Sequence, residues 1–516
     1  MALRHIKLVR WFIGIFGGAL VALWIALGIV SRAPVLQKKL VETLDAHMDA
    51  DVQLESFTVD SFPTLRIHGD NLRLRLKGQQ QPAPFIEIRH FEVTGGIFGL
   101  LRRQRQFSSV TLDGLRITIP PKTRNDKEAG VKAAEGTVQG PVLIDHVVAK
   151  DAQLVLVPSD PRKEPKIWVI HALDLESVGF DRTMPFEATL SNPIPQGEIA
   201  TTGTFGPWIK GDPGLTPVQG KYAFNRADMN TIKGLGGTLT STGQFTGRLD
   251  QIDVQGKATI PDFSIDVGGA PVPLTTEFHT VVDGTNGNTY LKQVTAKLAE
   301  TDIEASGAVE SRAGVKGRTV DLDFAIRDGR VQDVLHLATK ASKPPMLGRM
   351  AMQGKLLLPP GDKKVSDRLD LDGRFVLENA RFTDPQVQEQ IAMLSRRARG
   401  KKPDEPMGPI SSTMRGTFKM RDGTLRFNPF RFGVPGADVQ IVGTYGVRTQ
   451  QLDFTGDLLM NASVSDAAGG GIKGFLLKPF NPLFRDKRTK GSRVPITIKG
   501  PREKPKFGLN WGKVFK

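Results

Sequence analysis

The chain has 516 residues with no cysteine, 55 glycines, 34 prolines and a formal net charge of +16. Lack of cysteine rules out disulfides, thiolate-bound zinc, iron–sulfur clusters and thiol catalysis, and an apolar fraction of 39% beside so much Gly and Pro argues against a helical bundle or a polytopic membrane protein. The charge sits at the ends: Ile472 to Lys516 carries thirteen basic residues against Asp486 and Glu503, and Arg4, Lys7 and Arg10 open the chain, so the body is nearly neutral and no nucleic-acid partner is expected.

Residues 1–10 form a short basic N-terminus, expected in the cytoplasm. Residues 11–31 (WFIGIFGGALVALWIALGIVS) are free of charge over a length that matches the ~30 Å hydrocarbon core, and their large side chains, Trp11, Phe12, Ile13, Leu20, Trp24, Leu27 and Ile29 among them, predict a transmembrane helix. A cleaved signal peptide has a shorter apolar core, and Pro34 follows the small-x-small site Ser31-Arg32-Ala33, so the segment reads as an uncleaved anchor. Basic residues flank it almost evenly, and the short N-terminus ahead of a long domain favours the body outside, which in a bacterium is the periplasm.

Residues 32–120 begin with an amphipathic helix, Pro34 to Ala50, marked by Val35, Leu36, Leu40, Leu44 and Met48. The period then changes to two, in short runs such as Val52/Leu54, Leu72/Leu74/Leu76, Val110/Leu112 and Leu115/Ile117/Ile119. Phe62-Pro63, Gly69-Asp70-Asn71 and Asp113-Gly114 read as turns between them, and Gly95 to Arg105 as a short helical element. Residues 121–140 hold almost no large apolar side chain and predict a flexible loop.

Residues 141–383 form a central β region, residues 384–409 an amphipathic helix with a linker, and residues 410–516 a C-terminal β module with a basic tail. Many strands read as ending on a glycine after a polar residue, as at Gln255-Gly256, Gln353-Gly354, Asp372-Gly373, Arg415-Gly416 and Lys499-Gly500. The helix is expected from Asp384 to Lys402, with Asp384 as N-cap, Pro385 in its first turn and a basic end. Alternation of apolar and polar residues implies antiparallel strands with one wet face, because parallel strands buried on both faces show continuous apolar runs. The fold class expected is mainly β: a transmembrane helix, then an elongated, twisted antiparallel β structure with a partly open hydrophobic groove and a few short helices.

No motif for chemistry stands out. The eight histidines show no HxH or HExxH spacing, and neither a GxSxG elbow nor a Walker loop is present. Gly203-Thr204-Phe205-Gly206 and Gly234-Leu235-Gly236-Gly237 read as turn glycines. Asp283 to Asn288 lacks the closing Glu of a calcium loop and reads as a hairpin turn between Phe278–Val282 and Thr289–Val294. No catalytic residue, cofactor or metal is expected.

Several stretches resemble the AsmA-like family of bacterial envelope proteins. They are Ser61-Phe62-Pro63-Thr64-Leu65 with Gly69-Asp70-Asn71-Leu72, Val110-Thr111-Leu112-Asp113-Gly114-Leu115, Gly203 to Trp208, Val218 to Phe224, Val281 to Gly287, Phe432 to Ala437, Gly443 to Gly446, Phe454-Thr455-Gly456 and Val494 to Gly500. The resemblance implies an inner-membrane, periplasm-facing β structure without catalytic residues, with an open hydrophobic groove and a role in phospholipid movement or outer-membrane assembly.

Lipid handling through apolar strand faces is therefore the leading expectation, with phospholipid or another acyl-chain lipid as ligand. The alternative is a non-catalytic envelope scaffold that binds other proteins through exposed strand edges. Phe475, Leu476, Lys478, Phe480, Phe484, Lys487, Arg488 and Lys490 place large apolar residues beside dense positive charge, and are expected to dock on an outer-membrane surface or an envelope partner at the end opposite the anchor.

Overall fold

The structure, a computed structural model, describes residues 50–60, 65–76, 84, 86–95, 105–119, 142–156, 166–179, 182–207, 209, 213–268, 270–284, 287–311, 317–339, 343–401, 410–463, 491–502 and 504–510. They are mainly β. In chain order the strands are β1 (Ala50–Gln53), β2 (Ser56–Asp60), β3 (Leu65–Leu76), β4 (Ile86–Gly95), β5 (Arg105–Ile119), β6 (Val142–Leu156), β7 (Lys166–Val178), β8 (Met184–Pro193), β9 (Gln196–Phe205), β10 (Pro217–Asp228), β11 (Leu235–Gly236), β12 (Thr238–Arg248) and β13 (Gln251–Ile265). There follow β14 (Val272–Val282), β15 (Thr289–Leu298), β16 (Thr301–Ser311), β17 (Arg318–Arg330), β18 (Met346–Leu358), β19 (Asp370–Phe382), β20 (Ser412–Arg421), β21 (Thr424–Val434), β22 (Ala437–Gly446), β23 (Gln451–Met460), β24 (Ser492–Pro501) and β25 (Lys506–Leu509). Helices α1 (Val331–Ala338), α2 (Val365–Arg368) and α3 (Pro385–Ala398) interrupt the second half.

The chain divides into two compact units: one of the described residues up to 228 with 240–256 and 280–288, the other of residues 229–239, 257–279 and 289 onward. In the first unit β2 through β10 pair in sequence, antiparallel except between β5 and β6, which are parallel. The all-antiparallel expectation is corrected there. A parallel pair needs a connection of a dozen or more residues, and residues 120–141, which include the loop expected at 121–140, are long enough to make it. In the second unit β15 through β25 pair in sequence and always antiparallel.

Unbroken sequential pairing brings residues into transverse rows, and the rows of the second unit alternate strictly in chemistry. One row runs Leu322, Leu356, Leu371, Met420, Leu425, Tyr445, Leu452. The next row, one residue along each strand, runs Asp323, Lys355, Asp372, Lys419, Arg426, Thr444, Asp453, Lys499. Beyond it lies Phe324, Gly354, Gly373, Phe418, Phe427, Gly443, Phe454, Ile498, which returns to the apolar face. The first unit repeats the scheme. Val59, Ile67, Val93, Val110, Val147, Leu175 and Phe186 form an apolar row beside the largely polar Thr58, His68, Glu92, Thr111, Val148, Asp174 and Glu187. A period of two, held in register across many strands, gives one apolar face and one water-facing face.

Three sequence expectations change. Asp113-Gly114 and Gly69-Asp70-Asn71 are not turns: they lie inside β5 and β3, with Gly114 at φ +66° and Asn71 at φ +53°. Such left-handed residues locally disrupt the ladder without ending the strand. Gly256, Gly354, Gly373 and Gly416 do not end strands either, since each sits within β13, β18, β19 or β20. Two of them make room for aromatic rings on the neighbouring strand: a Cβ on Gly373 would meet Phe418 Cζ at 2.9 Å, and one on Gly416 would meet Phe375 Cε1 at 3.3 Å. Gly95 and Arg105, the bounds of a predicted helical element, are strand residues, and residues 96–104 between them lie outside the described set.

The predicted helix near residue 384 is present as α3. Asp384 accepts hydrogen bonds from the Gln386 and Val387 amides at 2.8 and 3.2 Å, and Pro385 opens the first turn. It ends at Ala398 rather than Lys402, because Gly400 turns left-handed at φ +67° and the Lys401 and Gly400 amides donate back to the Arg396 and Arg397 carbonyls at 3.1 and 3.0 Å. Far from the helix, Arg448 ties the β22–β23 turn to α2 and the end of β13, through Asp367 and, at 3.0 Å, through Asp266. Burial pushes the Asp266 carboxyl up, but Lys364, Ser366 and Arg448 outweigh this and hold it below the usual range.

Among the described residues no helix is long and apolar enough to cross a membrane. The expected anchor at residues 11–31 and the loop at residues 121–140 lie outside them, as does the amphipathic helix expected from Pro34 to Ala50 except for Ala50 itself, which opens β1 rather than ending a helix.

Phenylalanine-over-glycine contacts leave little room for a larger side chain. A Cβ on Gly443 would lie 2.6 Å from Phe454 Cα and 2.8 Å from Phe454 Cδ1. Gly443→Val is expected to cost about 1–3 kcal/mol in urea denaturation, whereas Thr444→Val on the opposite face is expected to stay within about 0.5 kcal/mol.

Candidate functional site

None of the residues singled out as anchor or dock can be placed. Trp11, Phe12, Ile13, Leu20, Trp24, Leu27, Ile29, Phe475, Leu476, Lys478, Phe480, Phe484, Lys487, Arg488 and Lys490 all fall outside the described residues. What the structure does place is the last part of the basic segment. Ser492–Pro501 forms β24, where Arg493 pairs with Asp457 at 2.7 Å and Lys499 with Asp453 at 3.1 Å, so two of its charges are taken up inside the sheet.

The candidate site is the apolar face of β16 to β24. Beside the rows already named it holds Ile326, Met352, Phe375, Gly416, Phe430, Ile441, Gly456 and Ile496, then Met350, Leu377, Met414, Phe432, Val439, Leu458 and Val494. Aromatic rings cover its middle. Phe375 lies 6.3, 6.2 and 5.9 Å from the ring centres of Phe418, Phe427 and Phe430, and Phe427 lies 5.9 Å from Phe454. Tilted and edge-on arrangements at such separations add stabilisation beyond area burial.

One border of this face is roofed and the other is not. Val331, Val334 and Leu335 of α1 pack with Met350 and Leu377, while Ile391, Leu394 and Ala398 of α3 pack around Phe432, Leu458 and Val494. Helix α1 is fastened by Asp333, whose carboxylate accepts from the fully buried Thr301 hydroxyl at 2.7 Å. Helix α3 is fastened by Gln388, which donates to the Ile410 carbonyl at 2.9 Å, and by Ser395, which donates to the Pro435 carbonyl at 2.6 Å. Toward the other border Leu322, Phe324, Leu356, Leu371, Leu425, Phe427 and Leu452 are only half-buried. No acid, base or nucleophile other than the Tyr445 hydroxyl stands in these rows, so the surface offers contact with apolar matter rather than proton transfer.

Polar side chains do meet on the water-facing side of the first unit, and the sequence did not reveal them. His90 Nδ1 lies 2.7 Å from Asp70 Oδ1, the Ser56 hydroxyl donates to the other oxygen of Asp70, and the His68 ring stacks on His90 at 6.2 Å. His68 also lies 3.8 Å from Asp60. Although a serine, a histidine and an aspartate meet here, the carboxylate stands between the other two, so the imidazole does not address the hydroxyl and Ser56 has no base to activate it. Among the described residues no group of three or more His, Cys, Asp or Glu side chains could hold a metal ion.

No family model, curated protein or solved structure matches this chain. Its function is therefore argued from these faces and from the motifs in the sequence.

The Ser56 hydrogen bond, followed by the His90 hydrogen bond, holds the Asp70 carboxyl below the usual carboxylate range. A depressed folded-state value contributes stability above the unfolded carboxylate pKa, and that contribution is lost as the pH falls through the folded value. Asp70→Asn is thus expected to melt lower than the wild type near neutral pH. The gap should narrow in acid as the pH falls below the ordinary carboxylate range, as thermal melts across a pH series would register.

Proposed function

We propose that this chain is a non-enzymatic, membrane-anchored envelope protein of the AsmA-like kind that handles lipid, with acyl chains lying on the apolar face of β16 to β24. The observation that supports this reading most directly is the continuity of that face. Row after row crosses the strands without a charged side chain, and its Leu322–Leu452 border remains half-buried. Much of the face is buried within the protein, and its half-buried border leaves apolar surface that an apolar occupant would cover. An acyl chain supplies one, each buried CH₂ recovering about 0.8 kcal/mol relative to water.

On this reading residues 11–31 hold the protein in the inner membrane, the β units stand in the periplasm as an elongated structure with a partly open groove, and phospholipid is the ligand. The test is lipid extraction and mass spectrometry of the purified full chain. Phospholipid should co-purify, and Leu371→Glu with Leu425→Glu should reduce it at least about tenfold while far-ultraviolet circular dichroism stays β-rich, since an unpaired charge on the face opposes acyl contact. Lipid-free protein across repeated preparations would overturn the proposal in favour of a scaffold that binds partners through strand edges.

The basic segment contributes a second, separable expectation. Phe475, Leu476, Phe480 and Phe484 stand in sequence beside Lys478, Lys487, Arg488 and Lys490. Basic residues near an anionic surface contribute up to about 1 kcal/mol each, screened by salt. Flotation with anionic liposomes at low ionic strength should therefore weaken sharply when Lys487, Arg488 and Lys490 are all changed to Glu; unchanged flotation would sink the docking role.

A further inference from the structure

The water-facing side of β17 to β21 contains a place where the charge pattern of the sheet breaks. Several basic residues on this side stand against acids, Lys355 with Asp323 at 3.2 Å, Lys419 with Asp372 at 2.9 Å and Arg349 with Asp328 at 3.0 Å, although Lys419 also faces Arg426 across the β20–β21 ladder. Three arginines, Arg374, Arg415 and Arg431, line an open trough of about 790 Å³ and have no carboxylate partner among the described residues. Arg415 stands directly opposite Arg431 in the β20–β21 ladder, and Arg374 belongs to the adjoining strand with Gln353 and Thr417 on either side. Ala325 and Ala351 keep the β17–β18 side of the trough low, and the exposed Val376 stands opposite Arg415 on β19.

Like charges directly opposite on neighbouring strands are destabilising. Burial does not account for them, since Arg374 and Arg415 are exposed and Arg431 is half-buried. Arginine also differs from the lysines that hold Asp323 and Asp372: its planar guanidinium presents paired N–H donors that match the oxygens of a phosphate bidentately. Strand spacing near 4.8 Å sets the two forks apart by a distance that one tetrahedral anion bridges. Gln353 adds a neutral amide donor on the same wall, whereas the Thr417 hydroxyl is already given to the Asn428 carbonyl.

We propose that Arg374, Arg415 and Arg431 form a binding site for a phosphate-bearing anion, either a free phosphate or the headgroup of a phospholipid. The site lies on the face opposite the aromatic rows and does not depend on acyl binding there.

The experiment uses the full chain at low ionic strength, in a non-ionic detergent for inorganic phosphate as one probe and transferred from detergent into an amphipathic polymer for vesicles of phosphatidylglycerol or phosphatidylcholine as the others. Phosphate should bind saturably and raise the unfolding temperature. Arg415→Gln should weaken that binding at least about tenfold, in keeping with loss of a charge-assisted contact. Without phosphate Arg415→Gln should melt no lower than the wild type, because it relieves a like-charge pair, and Arg426→Gln, outside the trough, should leave affinity within about twofold. Arg415-dependent binding to phosphatidylglycerol vesicles but not to inorganic phosphate identifies the headgroup as the source; binding to phosphate alone identifies the free anion. If neither probe binds in an Arg415-dependent way, or if Arg415→Gln lowers the unfolding temperature without phosphate, the arginines are structural and the proposal is wrong.

Discussion

A phenylalanine ring laid over a glycine of the next strand is the contact on which the second unit depends. Phe418 over Gly373, Phe375 over Gly416 and Phe454 over Gly443 let large apolar side chains lie flat along the sheet. Had every position of the apolar face carried a branched side chain, the rings would stand up and splay the rows. Glycine weakens an isolated strand, and here the ring from the neighbouring strand compensates by covering the bare backbone. The result is a face that is apolar and continuous although apolar residues are only 39% of the chain.

That contact also explains where the sequence misleads. A glycine following a polar residue resembles the end of a strand, and at Gln353-Gly354, Asp372-Gly373 and Arg415-Gly416 the polar residue does face water as expected. The glycine, however, belongs to the apolar face and the strand continues through it. Its role depends on a ring some forty residues away in sequence at Gly373 and Gly416, and no local pattern contains that ring. The period of two, by contrast, is local, and so is the α3 cap at Asp384 with Pro385 behind it; both were legible. Helix α1 was missed even though Val331, Val334 and Leu335 have helical spacing, because they follow directly on the alternation of β17.

The same distinction governs the polar clusters. Asp70 and His90 meet because β3 and β4 pair with Asp70 opposite His90, and Ser56 joins because β2 pairs with Asp70 opposite Ser56. From spacing alone the histidines are far apart. Register is set by the apolar side of each strand, since a slip by one residue would turn Ile67, Val93 and Val110 into water. The polar neighbours are therefore brought together by packing on the side they do not share. The parallel pairing of β5 with β6 follows the same rule: Val110 meets Val147 and Leu112 meets Ala149 on the apolar side, and strand direction is set by the connection that residues 120–141 supply.

A sheet whose two sides are specified this differently can host two kinds of chemistry without either disturbing the other. The side chains of Phe375 and Phe430 face the aromatic rows, while Arg374, Arg415 and Arg431, each one residue away along β19, β20 or β21, face water. A substitution that changes charge on the wet face leaves the ring contacts in place, because successive side chains point to opposite sides. Conversely, anything gained by lining the apolar rows with larger side chains is limited by backbone approach at Gly373, Gly416 and Gly443, where even one carbon atom is tight. The apolar face is thus constrained by volume and the wet face by charge balance. The unpartnered arginines stand out because much of that face, from Asp323 with Lys355 to Asp453 with Lys499, sets its charges in opposite pairs, whereas here three arginines line one trough.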